Sequence, residues 1–130
     1  MGRAIYVSSV NGDDANSGYA PEKAFRSLRK VNQMEIQPGD QILLERGSVF
    51  VGEYLHLYRG GTKEAPVVVD AYGEGALPRI ETDGNGIWYQ NYGGHLDNVA
   101  HIWKGYLSSA VLLYDAEYIS IRNLEITNNP

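Results

Sequence analysis

At 130 residues, 43% hydrophobic and 21% charged, the chain has the make-up of one ordinary globular domain with enough apolar material for a packed core. Its net charge is −5 and its few basic residues are scattered rather than striped, which argues against nucleic acid or an anionic membrane as partner and favours a neutral or weakly charged ligand. The lack of cysteine excludes disulfide scaffolds, thiolate zinc sites and thiol nucleophiles, and no apolar run approaches the roughly 20 residues that span a bilayer.

Met1-Gly2-Arg3-Ala4 leads straight into a short strand, Ala4 to Ser8, with no signal-peptide core ahead of it. Asn11-Gly-Asp-Asp-Ala-Asn-Ser-Gly18 follows as a turn-rich loop. Its oxygen-bearing side chains alternate as in a calcium loop, but the EF-hand spacing and closing Glu are absent, and Asx-turns ahead of a helix account for it equally well. Calcium therefore stays an alternative, and no cofactor is expected. The spacing of Phe25, Leu28 and Val31 predicts a helix over about 21–34, with Pro21 in its first turn, Gly39 past its end and Lys23, Arg26, Arg29 and Lys30 on the other face.

Beyond Gln37-Pro-Gly-Asp40 the chain reads as short strands cut by Gly and Pro: Gln41 to Glu45, Val49 to Val51, Tyr54 to Tyr58, Pro66 to Tyr72 and Pro78 to Thr82. Nothing between them is long enough for a crossover helix, which leaves a sandwich, a barrel or a β-helix. Strand cores recurring roughly every 20 to 25 residues favour the β-helix, with the 21–34 helix capping its open end. In Tyr54-Leu-His-Leu-Tyr58, alternation puts the leucines inward and Tyr54, His56 and Tyr58 on an outward face with aromatic neighbours across the rungs.

The rhythm breaks between about 84 and 109. Trp88, Tyr89, Tyr92, Trp103 and Tyr106 gather there beside His95, Asp97 and His101. An insertion this aromatic is ill suited to a solvated linker, and flat rings with polar tips suit sugar rings. These eight residues are the candidate substrate-binding set; the alternative is that the rings only anchor the loop. His95, His101 and Asp97 lack the spacing of a metal motif, and no metal site is expected. Asp70, Glu81, Asp83, Asp97, Asp115, Glu117 and Glu125 supply carboxylates, but none forms a diagnostic acid–base pair.

The last segment, Tyr118-Ile-Ser-Ile-Arg-Asn-Leu-Glu-Ile-Thr-Asn128, holds two strands, with Ile119 and Ile121, then Leu124 and Ile126, pointing inward. Alternation slips at Asn123, which is too short for a hairpin and so predicts a corner of the kind that joins solenoid strands. A rung of this sort needs another stacked on it, so self-association or contact with a second chain is expected wherever it stays uncovered.

Ile5-Tyr-Val-Ser8, Gly12-Asp13, Asn16-Ser-Gly18, Phe25-Arg-Ser-Leu28, Gln37-Pro-Gly-Asp40, Ala65-Pro-Val-Val-Val-Asp-Ala-Tyr-Gly73 and Ile119 to Asn128, taken in order, resemble the amino-terminal part of right-handed parallel β-helix proteins of the pectate-lyase-like superfamily. The resemblance implies a mainly β chain, the cap and first rungs of a longer solenoid, from an extracellular or periplasmic carbohydrate-active protein. It implies a polysaccharide or oligosaccharide as partner, and catalytic groups on later rungs. A glycoside hydrolase is the first expectation, inactive as this chain alone. A polysaccharide lyase is the second, and a non-catalytic glycan-binding or structural module the third.

Overall fold

The structure, a computed structural model, describes residues 2–91 and 104–129, with backbone alone at 87–91 and 104–107. It is mainly β and sparse in helix. The strands are β1 Ala4–Val7, β2 Gln41–Glu45, β3 Val49–Val51, β4 Leu55–Tyr58, β5 Val67–Tyr72, β6 Arg79–Glu81, β7 Ile87–Asn91, β8 Lys104–Ser108, β9 Val111–Tyr114, β10 Ile119–Ile121 and β11 Glu125–Thr127. Among the described residues the only α-helix is α1, Leu28–Asn32.

The sheets explain the short strands. β1-β2-β5-β10 form one parallel sheet, β3-β6-β11 a second and β4-β9 a third. Each pass of the chain visits these sheets in turn and lays every strand in parallel on its counterpart from the pass before, a solenoid-like arrangement. Identical facing follows from register, because side chains alternate along a strand. Ile5, Ile42, Val69 and Ile121 therefore make one inward stack, and Phe50, Ile80 and Ile126 another. Register partners such as Gln41 and Val68, or Val49 and Arg79, lie further apart than the roughly 20 to 25 residues expected, because the loops between strands are longer.

Burial falls along each stack. Phe50 and Ile80 are fully buried, whereas Ile126 on the last pass is 42% exposed. Leu57 is buried and its partner Leu113 exposed. The interior is thus built by neighbouring passes, as in any stacked repeat. The expected corner is present: Asn123 has φ 58°, a left-handed bend that Asn tolerates, and its Nδ2 donates to Asp70 Oδ1 at 2.8 Å.

Three expectations need correction. The single helix over 21–34 is instead a 3₁₀ turn at Pro21–Lys23, an extended stretch and the five-residue α1. The reason is the free edge of β1. Phe25 lies in a parallel bridge to Val7, donating to the Tyr6 carbonyl at 2.9 Å and accepting from Ser8 N–H at 2.8 Å, so its backbone is extended and cannot be helical. Phe25, Leu28 and Val31 still bury their side chains over the first pass.

His56 does not face solvent; it is 5% exposed. α1 covers it, and the Asn32 carboxamide acts as a strand edge for β4, accepting from His56 N–H at 2.8 Å and donating to the Tyr54 carbonyl at 3.0 Å. Tyr58 is exposed as expected and meets Tyr114 across the passes, edge to face at 5.9 Å. Finally, the 84–109 insertion is not a plain loop, since β7 and β8 pair antiparallel from Ile87–Ser108 to Asn91–Lys104.

Candidate functional site

Two features meet at one corner of the first two passes. The first is the root of the β7–β8 arm. Asp83, Gly84 and Gly86 all have positive φ, which turns the chain sharply out of the rung after β6. At Gly86 only hydrogen fits, because a Cβ would lie 2.5 Å from the Ser109 carbonyl oxygen and 3.0 Å from Tyr54 Cβ. Asn128 straps the root from the next pass: its Oδ1 accepts from Gly84 N–H at 2.8 Å and its Nδ2 donates to Ser108 Oγ at 3.1 Å. The Ser108 hydroxyl in turn donates to the Asn85 carbonyl. His56 Nε2 donates to the Ser109 carbonyl at 2.8 Å, which sets its tautomer because a carbonyl only accepts.

Of the candidate sugar-contact residues, Trp88 and Tyr89 stand on β7 and Tyr106 on β8, with Tyr89 and Tyr106 register partners. Tyr92, His95, Asp97, His101 and Trp103 lie outside the described residues.

The second feature is a groove of about 650 Å³ beside that root, lined by Ser9, Asp14, Arg26, Ser27, Arg29, Asn32, Val49, Val51, Gly52, Glu53 and Tyr54. Two carboxylates in it have opposite tendencies. Burial pushes Glu53 up, only partly opposed by the Leu28 N–H that its Oε1 accepts at 2.8 Å, and nearby Asp14 pushes it further. Burial pushes Asp14 up too, but the Ser27 hydroxyl at 2.7 Å and the amides of Ser27 and Arg26, both at 2.9 Å, outweigh it and hold the group below its ordinary value. Glu53 also replaces the missing cap of α1, since Ser27 makes no side-chain cap bond.

No local pattern signals this pairing, because Asp14, Glu53 and Leu28 come together only when the leading loop folds over the stacked strands. Within the Asn11 to Gly18 loop, Asp13 Oδ1 accepts from Ala15 N–H at 2.8 Å, an Asx-turn. The carboxylates of the strands are engaged elsewhere: Glu81 and Glu125 approach Arg79 at 2.6 and 3.5 Å, and Asp70 approaches Arg122 at 3.0 Å.

No family model matches the chain. It is similar to a lacto-N-biosidase of Bifidobacterium longum subsp. longum, 41% identical over 135 residues, which takes in 98% of this chain and 8% of that protein. It is also similar to crystal structures of GH136 lacto-N-biosidase from Eubacterium ramulus, native and selenomethionine forms, at 56% identity and a TM-score of 0.84; these match 97% of this chain and 20% of the solved chain. The chain is thus homologous to one segment of carbohydrate-active enzymes. It spans less than a tenth of the Bifidobacterium protein and a fifth of the Eubacterium one.

Proposed function

We propose that this chain is the cap and first rungs of a right-handed parallel β-helix of the pectate-lyase-like kind, in an extracellular or periplasmic glycoside hydrolase that releases lacto-N-biose units from an oligosaccharide. The 56% identity to GH136 lacto-N-biosidase carries this reading. It favours hydrolysis over β-elimination.

Hydrolysis needs one carboxylic acid to protonate the leaving glycosidic oxygen and a second carboxylate to activate water or attack the anomeric carbon. Asp70, Glu81 and Glu125 are neutralised by arginines, and Asp14 is held by amides and a hydroxyl. We place the two catalytic carboxylates on rungs beyond this chain, and this chain alone as inactive, because it matches only a fifth of the solved lacto-N-biosidase chain. We also propose sugar contact for Trp88, Tyr89, Tyr92, His95, Asp97, His101, Trp103 and Tyr106, whose flat rings and polar tips suit a saccharide. The uncovered Ile126 and Leu113 receive the next rung, or a second chain in its absence.

The test is hydrolysis of a chromogenic lacto-N-bioside by this chain and by a longer protein that contains it. Turnover is expected from the longer protein alone, with Trp88→Ala or Trp103→Ala raising KM more than it lowers kcat. Turnover by this chain alone refutes the placement of the chemistry.

A further inference from the structure

The groove has a floor that the fold does not explain. β3 points Phe50 into the core and Val49 and Val51 outward, where they are 42% and 62% exposed. Their register partners on the same outer face are Arg79 and Glu81 on β6, then Glu125 and Thr127 on β11, the polar residues expected of a wetted sheet face. Only β3 presents two valines on that face, and both line the groove.

The walls are chemically selective. Arg26 and Arg29 balance Asp14 and Glu53, so the lining carries two formal charges of each sign and no formal net charge favouring an anion or a cation. Hydrogen-bonding capacity remains after internal needs are met. Glu53 uses Oε1 for Leu28 N–H, and among the described residues neither its Oε2 nor the Arg26 guanidinium makes a hydrogen bond. Ser9 Oγ accepts from Val49 N–H at 3.0 Å and keeps its hydroxyl hydrogen for another acceptor. Tyr54 adds a half-buried ring at the arm-root end, 4.4 Å from the His56 ring. A carboxylate kept in a site that penalises its charge is a further mark of binding use.

We propose that this groove binds a neutral saccharide. The Val49–Val51 floor supports the C–H face of a pyranose ring, and Glu53, Arg26 and Ser9 hydrogen-bond its hydroxyls. A volume of about 650 Å³ falls in the range of roughly 300–1,000 Å³ typical of small-ligand sites and has room for a disaccharide. The proposal deepens the functional reading above and rests on it for the class of ligand, while its residues are separate from those of the arm.

Saturation-transfer NMR on the protein, with lactose and N,N′-diacetylchitobiose as neutral probes and digalacturonate as the acidic one, tests it. The Trp88→Ala/Trp103→Ala background removes the arm's contribution. In that background a neutral disaccharide is expected to bind at millimolar concentrations. Val51→Asp, on a solvent-facing position that the core does not need, is expected to weaken binding about tenfold, and Arg26→Gln several-fold. Digalacturonate is expected to bind at least about fivefold more weakly than the neutral probes. Loss of all binding in the arm background overturns the proposal, as does full binding by Val51→Asp or a preference for the acidic probe. Groove binding without lacto-N-bioside hydrolysis by the longer protein overturns the hydrolase reading and leaves the groove standing.

Discussion

Removal of the Asp40 carboxylate is expected to be among the most damaging single changes to a polar residue. Asp40 is fully buried and accepts four hydrogen bonds: from Arg3 N–H and Nε at 3.1 Å each on Oδ1, and from Arg3 Nη2 at 2.6 Å and Gln37 N–H at 2.8 Å on Oδ2. It thereby ties the entry to β1 to the turn before β2. Asp40→Ala leaves two backbone amides without their acceptor and strips the Arg3 guanidinium of its carboxylate, leaving it the Glu35 carbonyl at 2.9 Å. An exposed ion pair is worth about 0–1 kcal/mol, and breaking a fully buried one costs about 3–5 kcal/mol. The Arg3 side chain is 35% exposed, so water can partly replace the lost contacts, and the expected cost is about 3 kcal/mol. For a domain of this size that lowers Tm by roughly 12 °C.

The effect has a pH signature. Burial pushes the Asp40 carboxyl up, but the Arg3 hydrogen bonds and charge and the Gln37 amide outweigh it and hold the group below its ordinary value. A depressed folded-state pKa contributes stability above the unfolded value of about 3.9, and the contribution is lost as pH falls through the folded value. The difference between wild type and Asp40→Ala is therefore expected to be constant from pH 8 to 5 and to shrink below about pH 4. Asp40→Asn, which keeps an acceptor oxygen, falls between them. Thermal and urea unfolding followed by circular dichroism reads all three proteins. A difference below about 1 kcal/mol at pH 7, or one undiminished at pH 3, refutes the reasoning.

Glu53 has the opposite sign. Its raised folded-state pKa contributes stability only below the unfolded value, and this is lost as pH rises through the folded one, so Glu53→Gln is expected to match or exceed wild-type stability at pH 7 and to lose that advantage near pH 4 in urea titrations. Phe50→Ala opens a cavity beside Ile80 and is expected to cost about 3–5 kcal/mol by the same measurement, against under about 0.5 kcal/mol for Val49→Thr on the outer face. The protein is expected to self-associate in light scattering through its uncovered last pass, and Ile126→Glu to reduce that association while leaving the circular dichroism spectrum unchanged; a monodisperse wild-type monomer at high concentration refutes the open-stack account.

Legibility followed locality. Alternation within β2 and the slip at Asn123 are properties of a few consecutive residues, and both were readable, because a strand's inward set and a left-handed corner are decided by near neighbours. The capping segment was readable in what it buries and not in its shape. Phe25, Leu28 and Val31 have helical spacing, yet the amide and carbonyl of Phe25 are claimed by β1, a demand set by a strand remote in sequence. His56 followed the strand period correctly and still ended buried, because α1 covers the face that alternation assigned to solvent. The groove was invisible for the same reason: its carboxylates are ordinary loop residues until three segments converge.

That convergence follows from how a stacked fold starts. Every interior strand has a neighbouring pass on each side, so its backbone groups and inward side chains are satisfied by repetition. The first pass has no such neighbour at its outer edge and must be completed by non-repeating structure: the Phe25 bridge on β1, the Asn32 carboxamide on β4, the Glu53 carboxylate at α1. Non-repeating structure leaves shapes that the repeat cannot make. Here it leaves a polar-walled groove lined by two exposed valines, set beside the arm root, while at the opposite end of the stack Leu113 and Ile126 are left 42% exposed among polar neighbours. The non-repeating cap is thus the part of the fold chemically equipped to hold a ligand.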